Sequence, residues 1–151
     1  MQYHIGLDIG SVSINTVVMD EQCNIIENHY DYCHGKPFHQ LKSVLSHILD
    51  NYALETIGYV AITGTGGVLA AELIGGYYVN EIVSQATSVA WLYPQVNTII
   101  EMGGEDSKLI FMETEDGSSE LEDFSMNSIC AAGTGSFLDQ QAKRIGVSIE
   151  K

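Results

Sequence analysis

Three short strand patterns separated by two close turns occupy the first 30 residues, and they restrict the fold more than any other feature of the chain. Apolar residues alternate with other residues over 5–9, and two further strand-like stretches cover 14–20 and 25–30. This period of two is typical of β-strands. Because such short connections join neighbouring antiparallel strands, the pattern predicts a three-stranded antiparallel meander at the N-terminus.

After the meander, helical and strand patterns alternate. Pro37 is placed to open a helix, and one apolar face then recurs at helical spacing. The members of that face are Phe38, Leu41, Leu45, Ile48, Leu49 and Tyr52. The later elements predicted are buried strands at 57–62 and 98–102, the first of them parallel, helices at 68–74, 81–92 and 136–145, further strands at 107–112 and 121–126, and an acidic turn at 113–119. This order predicts an α/β protein with a mixed sheet and helices on its faces, of the RNase H-like type, as one domain over 1–151.

The charge balance excludes several classes of partner. Asp and Glu number 20 and Lys and Arg number 6, so the net charge is −14. Such a field repels the phosphates of nucleic acids and anionic membrane surfaces, and no apolar run approaches the roughly 20 residues of a membrane span. A polyphosphate ligand would therefore need backbone N–H groups and a divalent cation. The three cysteines and the absence of a basic N-terminal region favour a reducing cytoplasm.

An acidic residue followed by a glycine turn ends the first predicted strand. Asp8 precedes Gly10, and the turn continues through Ser11, Val12 and Ser13. Gly10 is able to adopt a positive φ, and the three following N–H groups are able to form an anion-binding nest. Asp8 would hold Mg²⁺ or its waters. The alternative is a plain hairpin with an exposed aspartate.

The same arrangement recurs at 101–107. Glu101 is the second-to-last residue of a predicted strand, Gly103 and Gly104 form the turn, and Glu105 and Asp106 follow. Two glycines flanked by carboxylates are a poor choice for stability unless a ligand binds there. The two bends together predict phosphate binding, with two hairpins of one sheet holding a phosphate chain from opposite sides.

Two further positions leave alternatives open. Glu81, at a predicted helix start, would orient a water for attack on a γ-phosphate, or would only interact favourably with the helix dipole. Cys130 lies among small residues before the last helix, where a thiolate is favoured, so it is either a metal or iron–sulfur ligand or a packing residue. Cys23 and Cys33 are interpreted as partly buried packing residues, because they form no zinc-binding spacing with the nearby His29, His34 and His39.

Five segments carry a resemblance to a known family. They are GLDIGS at 6–11, TG at 63–64, NE at 80–81, GGEDSK at 103–108 and CAAGTG at 130–135. In these the chain resembles the ATP-dependent activators of 2-hydroxyacyl-CoA dehydratases and benzoyl-CoA reductases, which belong to the acetate kinase, sugar kinase and actin superfamily. The last segment is the most specific to this family.

The resemblance implies a function. Such activators bind MgATP between two RNase H-like subdomains, and a homodimer shares one [4Fe-4S] cluster from which ATP hydrolysis drives a low-potential electron into the partner dehydratase. By this resemblance the catalytic residues are Asp8, Glu81, Glu101 and Glu105. The nucleotide contacts implied are Gly10, Ser11, Val12, Ser13, Asn15, Gly64, Gly103, Gly104 and Asp106. The metal ligands implied are Asp8 for Mg²⁺ and Cys130 for the cluster.

The chain departs from this family in ways that affect the expectation. The family often has Lys at Asn15 and usually has Gln at Glu105, and its second cluster cysteine has no counterpart after Cys130. We therefore expect the first subdomain of a longer protein, an ATPase in its full length and inactive as this piece, with the cluster present only in the full-length dimer. The alternatives are a small-molecule kinase of the same superfamily and a non-catalytic actin-like regulatory module.

Overall fold

The computed structural model describes residues 1–104, 106–115, 118–127 and 134–148. Its elements, in chain order, are β1 (Tyr3–Ile9), β2 (Ser13–Asp20), β3 (Ile25–Tyr32), α1 (Pro37–Asn51), a short 3₁₀ turn (Leu54–Thr56), β4 (Ile57–Thr63), α2 (Gly67–Ile74), β5 (Tyr77–Tyr78), α3 (Glu81–Leu92), β6 (Thr98–Met102), β7 (Ser107–Glu115), β8 (Ser118–Met126) and α4 (Gly135–Ile145). The chain divides into two compact units, Met1–Glu81 and Ile82–Lys151, where the sequence pattern predicts one. Each unit has its own sheet and its own buried cluster.

The first unit contains a five-stranded mixed sheet in the order β3-β2-β1-β4-β5. β1 pairs antiparallel with β2, and β2 with β3, so the predicted meander is confirmed. β4 lies parallel to β1 on its other side, as predicted, and the two-residue β5, which the sequence pattern does not predict, extends the sheet beyond β4. The sequence-predicted mixed sheet is therefore present in this unit.

The core of the first unit follows the alternation of its central strands. Ile5, Leu7 and Ile9 of β1 are buried, because every second side chain of a strand points to the same face. α1 begins with Pro37 in its first turn as predicted, and its buried residues are Leu41, Val44 and Ile48. The predicted apolar face of α1 is wrong at two positions, because Phe38 and Leu49 are exposed. Val44, which was not assigned to that face, is buried.

β4 is less buried than its composition predicts. Ile62 is buried, but Tyr59 is 61% exposed. The same holds for β6 in the second unit, where Ile100 is 75% exposed. Within its own described unit, each of these two strands is covered on one face only. An apolar run in the sequence therefore did not show that both faces of the strand are buried.

The second unit contains a three-stranded antiparallel sheet in the order β6-β7-β8. Its buried cluster joins α3 to β7 and comprises Ile82, Ala86, Ile110 and Met112. The acidic stretch at 113–119 is not a long turn, because β7 and β8 stay paired to their ends, with Glu115 opposite Ser118. α4 ends where predicted, at Gly146, which has φ +71°.

In the part of the chain that the structure describes, no helix combines the length and the apolar character that crossing a bilayer requires.

Candidate functional site

The first bend, between β1 and β2, differs in detail from the predicted turn. Gly10 does not have a positive φ, and its N–H donates to the carbonyl oxygen of Ser13 at 2.9 Å. Within residues 1–104 and the other described ranges, the N–H groups of Ser11 and Val12 have no hydrogen-bond acceptor. The bend therefore offers the two adjacent amide donors of Ser11 and Val12 to an anion.

Asp8 is held at the end of β1 by its neighbours on both sides. The Asn15 side chain, directly opposite on β2, donates to one carboxylate oxygen at 3.1 Å. On the other side, Thr63 at the end of β4 pairs with Asp8. Asn15 therefore orients the carboxylate, a contact that the sequence pattern did not assign to it.

Gly64 closes the turn that follows β4. It has φ +89°, and a Cβ atom there would lie 2.5 Å from the Ile9 carbonyl oxygen and 2.6 Å from Asp8 Oδ1. The N–H of Gly66 donates to the same Ile9 carbonyl at 2.9 Å. Only a glycine allows this turn to pass so close to the end of β1, so Gly64 belongs to the surroundings of Asp8.

Cys33 supports the first bend from the end of β3. Its N–H donates to the carbonyl oxygen of Val12 at 2.8 Å, and its thiol donates to the carbonyl oxygen of Gly10 at 3.9 Å. Burial, with a further effect of the Asp31 charge, raises the pKa of this thiol. Cys33 is thus a packing residue as predicted, whereas Cys23 is exposed in the β2–β3 turn, contrary to the prediction.

The second bend, between β6 and β7, contains a buried cation that the predicted site lacks. Lys108 is 5% exposed, and its ammonium lies 2.8 Å from Glu101 Oε2 and 2.9 Å from Asp106 Oδ1. Glu101 and Lys108 are direct partners across the β6–β7 pair. Lys108 could have been identified from the sequence as the partner of Glu101, because opposite charges that face each other across a hairpin stabilise it.

The N-terminus of α4 packs on the glycines of this bend. A Cβ atom on Gly103 would lie 2.7 Å from Asp106 Oδ1 and 3.1 Å from Glu101 Oε1. The N–H of Gly135 donates to the Gly103 carbonyl oxygen at 2.8 Å, and the Ser136 hydroxyl donates to the Gly104 carbonyl oxygen. The glycine carbonyls therefore serve internal packing.

The remaining predicted positions are only partly described. Glu81 begins α3, as predicted. Glu105 and Cys130 lie outside the described residues. The two bends belong to separate sheets, so the expectation that both lie in one sheet is wrong.

Comparison with solved structures identifies the class of protein. The structure matches the (R)-2-hydroxyglutaryl-CoA dehydratase component A of Acidaminococcus fermentans with a TM-score of 0.82 and 29% identity, over 98% of this chain and 56% of that one. It matches the activator of 2-hydroxyisocaproyl-CoA dehydratase from Clostridium difficile with bound ADPNP at a TM-score of 0.79 and 31% identity, over 97% of this chain and 53% of that one. The fold is thus that of the actin-like ATPases, and the sequence-predicted fold class is confirmed.

The sequence comparison then identifies the family. The chain belongs to the BadF/BadG/BcrA/BcrD ATPase family, whose model matches residues 5–151. The 2-hydroxyisocaproyl-CoA dehydratase activator of Clostridioides difficile is 32% identical to it, over 99% of this chain and 54% of the relative. The (R)-2-hydroxyglutaryl-CoA dehydratase activating ATPase of Acidaminococcus fermentans is 28% identical, over 97% and 55%. The chain spans about half the length of these relatives.

Proposed function

We propose that this chain supplies the first phosphate-binding elements of an ATPase that activates a 2-hydroxyacyl-CoA dehydratase-like partner by low-potential electron transfer. The observation that carries the proposal is the family match, which runs through both acid–glycine bends. Relatives named as dehydratase activators, together with a benzoyl-CoA reductase component of Thauera aromatica, support this function over the kinase alternative.

The residues of the first bend fit the role of binding Mg²⁺ and phosphate. Asp8 presents a carboxylate that Asn15 orients, and Mg²⁺ prefers such oxygen ligands. The amide groups of Ser11 and Val12 suit phosphate oxygens. Mg²⁺, when bound, would neutralise developing charge on the phosphates, while Asp8 fixes its position.

The second bend contributes differently. One oxygen of Glu101 is paired with Lys108, and the other lies beside Gly103, where a Cβ would fill the space. We propose that this bend binds phosphate through its backbone, with Lys108 holding the two carboxylates in place. Glu81 is proposed to orient the attacking water.

The described residues do not fit a [4Fe-4S] cluster. Their two thiols are the exposed Cys23 and the buried Cys33, whose raised pKa disfavours the thiolate that iron requires. A cluster shared by a homodimer therefore stays a prediction that rests on Cys130, and no step is derived through it.

The second unit repeats the beginning of the first. Each has a three-stranded antiparallel meander whose first strand has an acid as its second-to-last residue and is followed by a glycine bend. We propose that residues 1–81 form the sheet of one RNase H-like subdomain and that the β6–β8 meander begins a second one. This revises the sequence-predicted boundary at 151.

The test measures ATP hydrolysis by the complete gene product, purified anaerobically. We expect Asp8→Asn to lower turnover by about a hundredfold or more, because the metal loses an ionised ligand while Asn15 keeps an oxygen acceptor. Asp50→Asn is the matched control, since it makes the same change at an exposed carboxylate of α1. Equal turnover in wild type and Asp8→Asn would remove Asp8 from the site.

A second measurement separates the activator from the kinase. We expect iron and acid-labile sulfide in the anaerobic preparation, both lost in Cys130→Ser. An iron-free, colourless protein that phosphorylates a sugar with ATP would instead establish the kinase.

A further inference from the structure

A group of three metal-ligating side chains lies between β3 and α1. Glu27 and His29 are two residues apart on β3, so both point to the same face of the strand. His47 reaches them from α1, and the ligand atoms of the three residues lie within 4.8 Å of one another. The ring nitrogens Nε2 of both histidines contact the same oxygen, Glu27 Oε1.

The three side chains line a cavity of about 200 Å³ in the first unit. Asp31, the next residue on the same face of β3, also lines this cavity, as do Gln40 and Ser43 of α1. The histidines are 41% and 48% exposed in their side chains, so an ion has access from solvent. The rings meet nearly at right angles, at 79°, which lets their nitrogens approach one ion from different directions.

Glu27 is already oriented by a contact from outside the group. The Tyr52 hydroxyl donates to its second oxygen, Oε2, at 2.7 Å, and Tyr52 packs edge-on against Tyr3. Oε1 of the same carboxylate faces both histidine rings, so the two oxygens of Glu27 have different partners. Such outer hydrogen bonds to a ligating carboxylate are typical of metal sites.

We propose that Glu27, His29 and His47 form a binding site for a divalent transition-metal ion, with Zn²⁺ preferred. Two imidazole nitrogens and one carboxylate oxygen are the ligand set that Zn²⁺ accepts, with a fourth position open to water or Asp31. Mg²⁺ and Ca²⁺ are disfavoured because they require mainly oxygen ligands. The net charge of −14 attracts a cation to the chain.

The alternative is an exposed ion pair without a metal. An exposed ion pair contributes little to stability, and it does not need two imidazoles on one carboxylate oxygen. The metal site uses all three groups and joins the edge strand β3 to α1 through one ion. It shares no residue with the proposed nucleotide contacts, so the metal site and the nucleotide site are tested independently of each other.

The test is direct titration of the metal-free complete gene product with Zn²⁺, in competition with a chromogenic chelator. We expect tight binding in wild type and a loss of affinity of about a hundredfold or more in His47→Ala and in Glu27→Gln, because losing an outer partner alone costs roughly 10–100-fold. His39→Ala is the matched control, since it removes an exposed histidine from the same helix. Wild-type affinity in His47→Ala would overturn the proposal.

Two further readouts identify the ligands and exclude misfolding. With Co²⁺ in place of Zn²⁺, we expect ligand-field bands that disappear in His47→Ala, without sulfur-to-metal charge transfer. The unfolding midpoint of wild type should rise with Zn²⁺ concentration, whereas that of His47→Ala should not, although both unfold cooperatively in chelator. Binding through thiolates alone would contradict the assignment.

Discussion

Replacing Gly64 with alanine tests whether the turn after β4 is as close to β1 as the structure shows. Gly64 has φ +89°, and this left-handed conformation costs an alanine about 1–2 kcal/mol. The added Cβ would also lie 2.5 Å from the Ile9 carbonyl oxygen, which belongs to the backbone and must shift. Forced shifts of this kind cost about 1–3 kcal/mol, so the total loss of stability is about 2–5 kcal/mol.

Gly75→Ala isolates the two contributions. Gly75 has φ +75°, but a Cβ there meets nothing within 4 Å, so only the backbone cost of about 1–2 kcal/mol applies. Both residues lie in the first unit, and urea unfolding followed by circular dichroism measures both losses on the same transition. A Gly64→Ala protein no less stable than Gly75→Ala would refute the steric reasoning.

Three other predictions concern charge and burial. Lys108→Met should destabilise the second unit by about 1–3 kcal/mol, because two partly buried carboxylates lose their cation, and chemical unfolding against the exposed-lysine control Lys42→Met measures this. Hydrogen bonds from the Asn24 side chain and backbone lower the pKa of Asp20 in the native protein. The ionised carboxylate therefore stabilises the fold above the unfolded-state pKa of about 3.9, and this stabilisation is lost as the pH falls through the lower native pKa. The difference in unfolding free energy between wild type and Asp20→Asn should narrow on acidification, and a difference that does not change with pH would contradict the prediction. Cys33 should be alkylated more slowly than Cys23 in the native protein and equally fast after unfolding, as peptide mass spectrometry would show.

Local features of the fold were predictable from neighbouring residues. The alternation of Ile5, Leu7 and Ile9 predicted β1, Pro37 predicted the start of α1, and Gly146 predicted the end of α4. These features depend on backbone preferences and on side chains a few positions apart, which a sequence displays directly. The acid and glycine residues of both bends were found in the same way.

The close surroundings of the candidate sites were not predictable in that manner. The nucleotide contact of Asn15 stays a prediction, whereas the hydrogen bond from its side chain to Asp8 across the β1–β2 pair was not anticipated. The sequence pattern assigned no role to Lys108 beyond its place in the GGEDSK segment, because its burial between two carboxylates depends on the β6–β7 register. The amide of Gly10 is used inside the turn because Ser13 supplies an acceptor.

The amino-acid sequence by itself determined the order of the helices and of the strands other than β5, the two acid–glycine bends and the family, because each is encoded by short segments. Only the tertiary structure decided that the strands form two sheets in two units and that His47 of α1 meets Glu27 and His29 of β3. The physical reason is that these contacts join residues far apart in the chain. Their pairing depends on how helices pack and strands align, and no local pattern of residues specifies that.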